Sequence, residues 1–179
     1  MAKKIVITGG LGYIGTELCK IYSGVSWNNK VIVVDNRFIS ERVHQLRSWN
    51  IDFVHGDILD KDLVNKYCGD ADIVHHLAGI TDVPRLKSES SEDKDAKIKL
   101  VAEKGTQNVL NAINDKCKII FPSTHVVYEG IEKVKNDILE DEHTKPILSY
   151  ASSKAINEKQ LKTTPPEIIE YTPIELPTT

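Results

Sequence analysis

Short apolar runs rich in β-branched residues alternate along this chain with segments whose apolar residues recur every three or four positions. The runs are Lys4–Thr8, Lys30–Asp35, Asp52–His55, Asp72–His76 and Lys118–Pro122, and four of the five are apolar nearly throughout. Continuous apolar character is what a strand needs when both its faces are covered. The intervening segments predict helices near Tyr13–Tyr22, Glu41–Ser48, Asp60–Cys68 and Asp93–Ile113. In the longest of these, Leu100, Val101, Val109, Leu110 and Ile113 form the predicted apolar stripe. Alternating strands and helices predict an α/β fold, a doubly wound parallel sheet covered by helices.

Three stretches fall outside the alternation. Lys87–Lys99 is charged apart from Ile98 and reads as a solvated loop and helix start. Glu129–Lys145 reads as a long charged loop, and loops of that length in a compact domain are usually functional or mobile. After Lys162 come Thr163-Thr164-Pro165-Pro166, then Glu167–Tyr171, Pro173 and Pro177. The prolines exclude a helix. Residues 1–162 are therefore expected to form one domain, and 163–179 an extended tail with one short edge strand at Glu167–Tyr171.

Composition narrows the function more than the fold. A chain of 179 residues holds one well-packed domain and little more. The formal net charge of -3 argues against nucleic acid, whose partners carry a clustered basic face. No apolar run approaches the roughly 20 residues of a membrane span, and Met1-Ala2-Lys3-Lys4 leads straight into a strand without a signal peptide. Cys19, Cys68 and Cys117 are odd in number and lack a CxxC pair. They are expected to be buried, reduced thiols in a cytoplasmic protein, with neither disulfide nor zinc. His75 and His76 are adjacent, so on a strand they point to opposite faces and do not share a metal. Both are expected in the core, and no metal site is expected.

The chemistry begins at Thr8-Gly9-Gly10-Leu11-Gly12-Tyr13-Ile14-Gly15, between the first predicted strand and helix. Gly10-x-Gly12-x-x-Gly15 meets the dinucleotide fingerprint, and Gly9-x-x-Gly12-x-x-Gly15 meets its variant spacing. One glycine permits the tight turn, another lets backbone N–H groups reach a pyrophosphate, and a third lets the helix pack on the strand. The phosphates then meet the positive end of the helix. Asp35 ends the second strand, 20 positions after Gly15, where a carboxylate accepts from both ribose hydroxyls and repels a 2′-phosphate. This favours NAD over NADP, a preference that nearby Arg37 slightly weakens. Asp57 and Ile58 follow the third strand and are placed to flank an adenine. Leu77, Ala78 and Gly79 follow the fourth, where small residues let a cofactor lie against the backbone.

Tyr150 and Lys154 lie four apart, on one face of a predicted helix. A phenol with an ordinary pKa near 10 is a poor base at neutral pH, and a neighbouring ammonium and a positive nicotinamide ring both favour its phenolate. The same lysine can reach the nicotinamide ribose. Ser123 and Thr124 end the fifth strand, where a hydroxyl can hold the substrate oxygen that gains or loses a proton.

With these motifs in this order, the chain resembles the NAD-dependent epimerase/dehydratase family, the extended short-chain dehydrogenase/reductases. Besides the glycine turn, the carrying motifs are Gly56-Asp57-Ile58, His76-Leu77-Ala78-Gly79, Phe121-Pro122-Ser123-Thr124-His125-Val126-Val127-Tyr128 and Tyr150-Ala151-Ser152-Ser153-Lys154. The resemblance implies a Rossmann-like NAD-binding domain. It implies cofactor contacts from Gly9, Gly12, Tyr13, Ile14, Gly15, Asp35, Asn36, Arg37, Asp57, Ile58, Leu77, Ala78, Gly79, Tyr150 and Lys154. By position Thr124, Tyr150 and Lys154 take the catalytic roles, with Ser123 and Thr124 at the substrate. It further implies a nucleotide-sugar substrate and a homodimer formed through the helix near Asp93–Ile113 and the one starting at Tyr150.

The departures from the family pattern qualify this. Ala102 stands where the family usually has an asparagine whose amide helps order the site. No glycine directly follows Tyr128. The next strand of the family and most of its C-terminal substrate domain are expected to be missing. Two other functions therefore stay open. One is a non-catalytic NAD-binding or regulatory module descended from such an enzyme, favoured by Ala102 and opposed by the intact Thr124, Tyr150 and Lys154. The other is an NAD(P)-dependent carbonyl reductase, against which Asp35 counts mildly.

Overall fold

Five strands, β1 (Lys4–Thr8), β2 (Lys30–Asp35), β3 (Asp52–His55), β4 (Ile73–His76) and β5 (Lys118–Ile120), form one sheet in the order β3-β2-β1-β4-β5. Every pairing is parallel. The computed structural model describes residues 2–81, 91–131, 138–139 and 143–163. The strand expected at Glu167–Tyr171, the tail after Thr163 and much of the Glu129–Lys145 loop lie outside these residues.

Side-chain alternation divides the apolar residues between two cores. Val6, Ile32, Val34, Val74 and Ile119 face one side, where Val64 and Cys68 of α3 (Lys61–Cys68), Val109 of α5 (Thr106–Ala112) and Leu161 of α6 (Ser149–Lys162) cover them. Ile5, Ile7, Val31 and Val33 face the other, under Cys19 of α1 (Tyr13–Ser23) and Val43 and Leu46 of α2 (Ser40–Ser48). The three cysteines are free and buried. Burial pushes the Cys19 and Cys68 thiols up to about 12 and that of Cys117 to about 11, so they serve as packing rather than as nucleophiles.

Helix starts follow local chemistry. Asp60 caps α3 by accepting from Asp62 N and Leu63 N, and Ser91 caps α4 (Glu92–Leu100) by accepting from Lys94 N. Two strands are shorter than their sequence pattern. β4 begins at Ile73, and β5 stops at Ile120, two residues before Pro122, which has no N–H to donate.

The long helix expected near Asp93–Ile113 is α4, a π-helical turn at Val101–Gly105, and α5. The wider turn changes the rotation per residue, so a stripe drawn at constant helical period does not survive it. Ile98 is fully buried, whereas Leu100, expected in the stripe, is 52% exposed. Val109 is in the core, with Val101, Leu110 and Ile113 packed against it.

The chain order reverses between β1 and β4, which are adjacent in space. At such a switch point the loops leaving the two strands diverge, and the crevice between them is where open α/β sheets bind ligands.

Candidate functional site

At that crevice the two loops touch through backbone. Gly9 has φ +70°, and a Cβ there would lie 2.7 Å from Ala78 N and 2.9 Å from the Leu77 carbonyl carbon. Only glycine combines that dihedral with that approach. A Cβ on Gly15 would meet Gly10 Cα at 2.6 Å, so α1 sits directly on the turn. The N-terminus of α1, capped by Gly12, has no side-chain cap bond and no acidic residue in its first turn. Its partial positive charge is therefore uncompensated by side chains of its own first turn. Tyr13 and Ile14 expose their side chains at this end. Among the described residues nothing lies within 4 Å of where a Cβ on Gly79 would be.

Asp35 is buried at the end of β2 and braces the turn. Leu11 N donates to its Oδ2 at 2.9 Å, and Arg37 N donates to Oδ1 at 2.9 Å. The Arg37 guanidinium adds an ion pair at 3.3 Å while its side chain stays half exposed. From α2, Arg42 donates to Leu11 O. Asn36 donates to Asp57 Oδ2 at 2.9 Å, linking the ends of β2 and β3. The Ile58 side chain is buried in the core against Gly105, where a Cβ would come within 2.4 Å of it.

Across the sheet, α6 carries Tyr150 and Lys154. Lys154 is buried, and its Nζ donates to Pro122 O at 2.9 Å. The ammonium lies 4.3 Å from the Phe121 ring centroid and 5.9 Å from that of Tyr150. Burial lowers the Lys154 pKa to about 8, partly opposed by the Glu158 carboxylate. Burial raises the pKa of the Tyr150 phenol, because it disfavours the charged phenolate.

The two hydroxyls after β5 differ. Ser123 donates to Glu158, one turn beyond Lys154 on α6. Thr124 accepts from Val126 N at 3.4 Å and starts the short 3₁₀ helix His125–Tyr128. Lys154 and Glu158 thus hold consecutive residues of the segment that leads into Thr124.

Several contributors carry no motif. Asn108 reaches from α5 to donate to Ile58 O at 3.0 Å and Leu59 O at 3.2 Å, fixing the loop after β3. Asn157 and Gln160 on α6 donate to Ala102 O at 2.8 Å and Glu103 O at 2.9 Å, carbonyls of the π-helical turn. The available signal was an asparagine at a core-facing helical position, where polar burial demands a partner. His75 and His76 are both buried on opposite faces of β4, as expected. His75 bonds Tyr22 Oη at 2.7 Å, and His76 lies between two threonines. Among the described residues no three His, Cys, Asp or Glu side chains are grouped to hold a metal.

The donors and shapes fit a dinucleotide. A helix terminus without a side-chain cap and glycine backbone suit a pyrophosphate, a carboxylate at the end of β2 suits ribose hydroxyls, and the side of Gly79 leaves room along the strand ends. Residues 6–169 match the 3-beta hydroxysteroid dehydrogenase/isomerase family, and the chain belongs to this family of NAD-dependent epimerase/dehydratase type. It is 35% identical over 152 residues to CDP-paratose 2-epimerase of Salmonella typhi, covering 79% of this chain and 42% of that protein. The UDP-glucose 4-epimerase of Brucella ovis, solved in complex with NAD, superposes with a TM-score of 0.71 at 31% identity, covering 90% of this chain and 47% of that one. The UDP-N-acetylglucosamine 4-epimerase of Methanobrevibacter ruminantium M1, solved with UDP-N-acetylmuramic acid, gives 0.72 at 28% identity, with 90% and 50% covered. The chain spans about half the length of these relatives.

Proposed function

We propose that this chain is the NAD-binding and proton-transfer part of a nucleotide-sugar epimerase or dehydratase. The carrying observation is Lys154, a buried cation held against the exit of β5 and 5.9 Å from the Tyr150 ring. Burying an ammonium is unfavourable unless its N–H groups are matched, and the Pro122 carbonyl is one match. In this reading the cation also offsets, at Tyr150, the burial that makes its phenol a weaker acid.

Gly9, Gly12, Tyr13, Ile14 and Gly15 hold the pyrophosphate through backbone N–H groups, and Asp35 accepts from the adenosine ribose, with Asn36 and Arg37 beside it. Asp57, the Ile58 backbone, Leu77, Ala78 and Gly79 line the remaining wall. Bound NAD supplies the acceptor and donor of a hydride at a sugar carbon. Tyr150 Oη takes the proton from the sugar hydroxyl as that carbon is oxidised, and Lys154 Nζ stabilises the phenolate form of the base. Thr124 uses its acceptor capacity on Val126 N and keeps its own O–H for the substrate oxygen. Ser123 acts through Glu158, holding the segment rather than the sugar.

Nucleotide sugars are favoured as substrates because the relatives are named for CDP- and UDP-sugars. Exposed Leu100 on α4 supports a homodimer through that helix and α6. Three buried free thiols support a reducing, cytoplasmic setting. No helix of the described residues is long and apolar enough to cross a membrane.

The test combines a binding and a turnover assay over UDP-, GDP-, dTDP- and CDP-sugars. Tyr150→Phe is expected to bind NAD as the unaltered chain does and to lose turnover by about 10²–10⁴-fold, the usual scale for one proton-transfer group. Retained turnover would remove Tyr150 from the mechanism.

A further inference from the structure

Four buried polar side chains from four different elements join the two halves of the site. Asn157 Nδ2 on α6 donates to Thr106 Oγ1, at the start of α5, at 2.9 Å. Thr106 Oγ1 lies 2.9 Å from His76 Nε2 on β4. His76 Nδ1 lies 2.8 Å from Thr8 Oγ1, the last residue of β1. Thr8 Oγ1 in turn accepts from Ala78 N at 3.3 Å, in the loop whose backbone packs on Gly9. Thr8, His76, Thr106 and Asn157 are all buried, and His76 has no exposed surface at all.

Polar groups this deep are costly unless every donor and acceptor is matched, and a matched network then fixes one arrangement. Burial first, and the Lys154 cation second, push the His76 pKa down to about 3, so the imidazole is neutral. A neutral imidazole has one N–H and one bare nitrogen, which makes its two bonds interdependent. Thr106 accepts from Asn157, and its hydroxyl can still donate to His76 Nε2 or accept from it. In either tautomer one ring nitrogen donates and the other accepts, so the bonds to Thr106 and Thr8 change together.

We propose that His76 is a positioning residue, the hub of an Asn157–Thr106–His76–Thr8 relay that fixes the Tyr150/Lys154 helix against the glycine turn. In this relay Asn157 supplies, from α6, the ordering amide that Ala102 lacks. It bonds Ala102 O and Thr106 Oγ1 with one nitrogen. The role in positioning a cofactor against a base rests on the function proposed above, whereas the coupling itself does not.

Thr106→Val deletes one hydroxyl from the relay at nearly constant shape, and Thr106→Ser restores it. The readout is amide exchange at Ala78 relative to Val6 and Val33, followed by NAD titration of the same samples. Thr106→Val is expected to speed Ala78 exchange about tenfold, the scale of one lost buried hydrogen bond, with Val6 and Val33 unchanged. NAD affinity should fall by a similar factor, and Thr106→Ser should return both to within about twofold. Unchanged Ala78 exchange, or equal acceleration at Val6 and Val33, would overturn the relay. Local acceleration at Ala78 in a protein that binds no NAD would leave the relay standing and remove the functional reading instead.

Discussion

The two ends of the crevice are built from different materials. At the glycine turn the working groups are backbone N–H donors, a positive φ and one carboxylate, all within residues 8–37 except for the wall of Leu77 to Gly79. At the Tyr150/Lys154 end they are side chains held by partners 32 to 55 positions away in sequence, Pro122 and Ala102 among them. A cradle of local backbone is specified by a short stretch of chain. A proton-transfer site needs an ammonium, a phenol and a hydroxyl brought together by several elements, and it depends on the packing between them.

The largest expected effect falls on the backbone-built end. Gly9→Val places side-chain atoms into the Ala78 and Leu77 backbone at a dihedral that β-branched residues avoid. We expect a loss of roughly 3 kcal/mol or more in denaturant unfolding, from strain and overpacking together. Gly79→Ala, with no described residue within 4 Å of the added Cβ, should change stability by less than about 0.5 kcal/mol. Equal effects at the two glycines would refute the close approach.

The side-chain-built end should respond in chemistry more than in stability. Lys154→Met removes a buried charge while keeping the stem that packs on Phe121. Turnover is expected to fall by about 10²–10⁴-fold, with unfolding free energy changed by no more than about 1 kcal/mol. A large stability loss with normal turnover of the folded fraction would make Lys154 structural.

Acid should loosen the strand that carries the relay. His75 and His76 titrate near 6.5 in an unfolded chain, and burial brings them down to about 4 and about 3 in the fold. Below pH 6.5 the unfolded chain binds more protons, so stability is fully present above that value. It declines as pH falls toward 4 and then 3. Between pH 6.5 and 5, above the ordinary carboxylate range, a series of denaturant titrations should show this decline, and a flat profile there would contradict the burial of both rings.

A smaller effect is expected at Asp35. Asp35→Ala frees Arg37 and leaves Leu11 N without its acceptor. NAD should bind about tenfold more weakly and NADP about as well or better, since a charge-assisted hydrogen bond is worth about 1.5–3 kcal/mol. An unchanged ratio of the two affinities would remove Asp35 from ribose recognition.

The same contrast explains what could be read in the sequence. The five strands and the glycine turn were readable because apolar continuity and glycine spacing are properties of neighbouring residues. The Tyr150/Lys154 spacing was readable for the same reason. Leu100 was misplaced because a π-helical turn alters the period without any local marker in Val101–Gly105. The packing of Ile58 against Gly105 and the bond from Ser123 to Glu158 join partners far apart in sequence and have no local marker. The burial that raises the Tyr150 pKa is likewise set by the fold and has no marker among its sequence neighbours. The Asn157–Thr106–His76–Thr8 relay is built from ordinary polar residues, and only the fold brings them together.

The central claim is that the described crevice is a competent NAD site that discriminates by Asp35. It is tested most directly by isothermal titration of the chain with NAD and with NADP, after assay of the purified protein for retained cofactor. Saturable binding of NAD is expected, with NADP weaker by about tenfold or more, the scale of one carboxylate–ribose interaction set against phosphate repulsion. Absence of binding to both, in protein carrying no retained cofactor, or a preference for NADP, would contradict it.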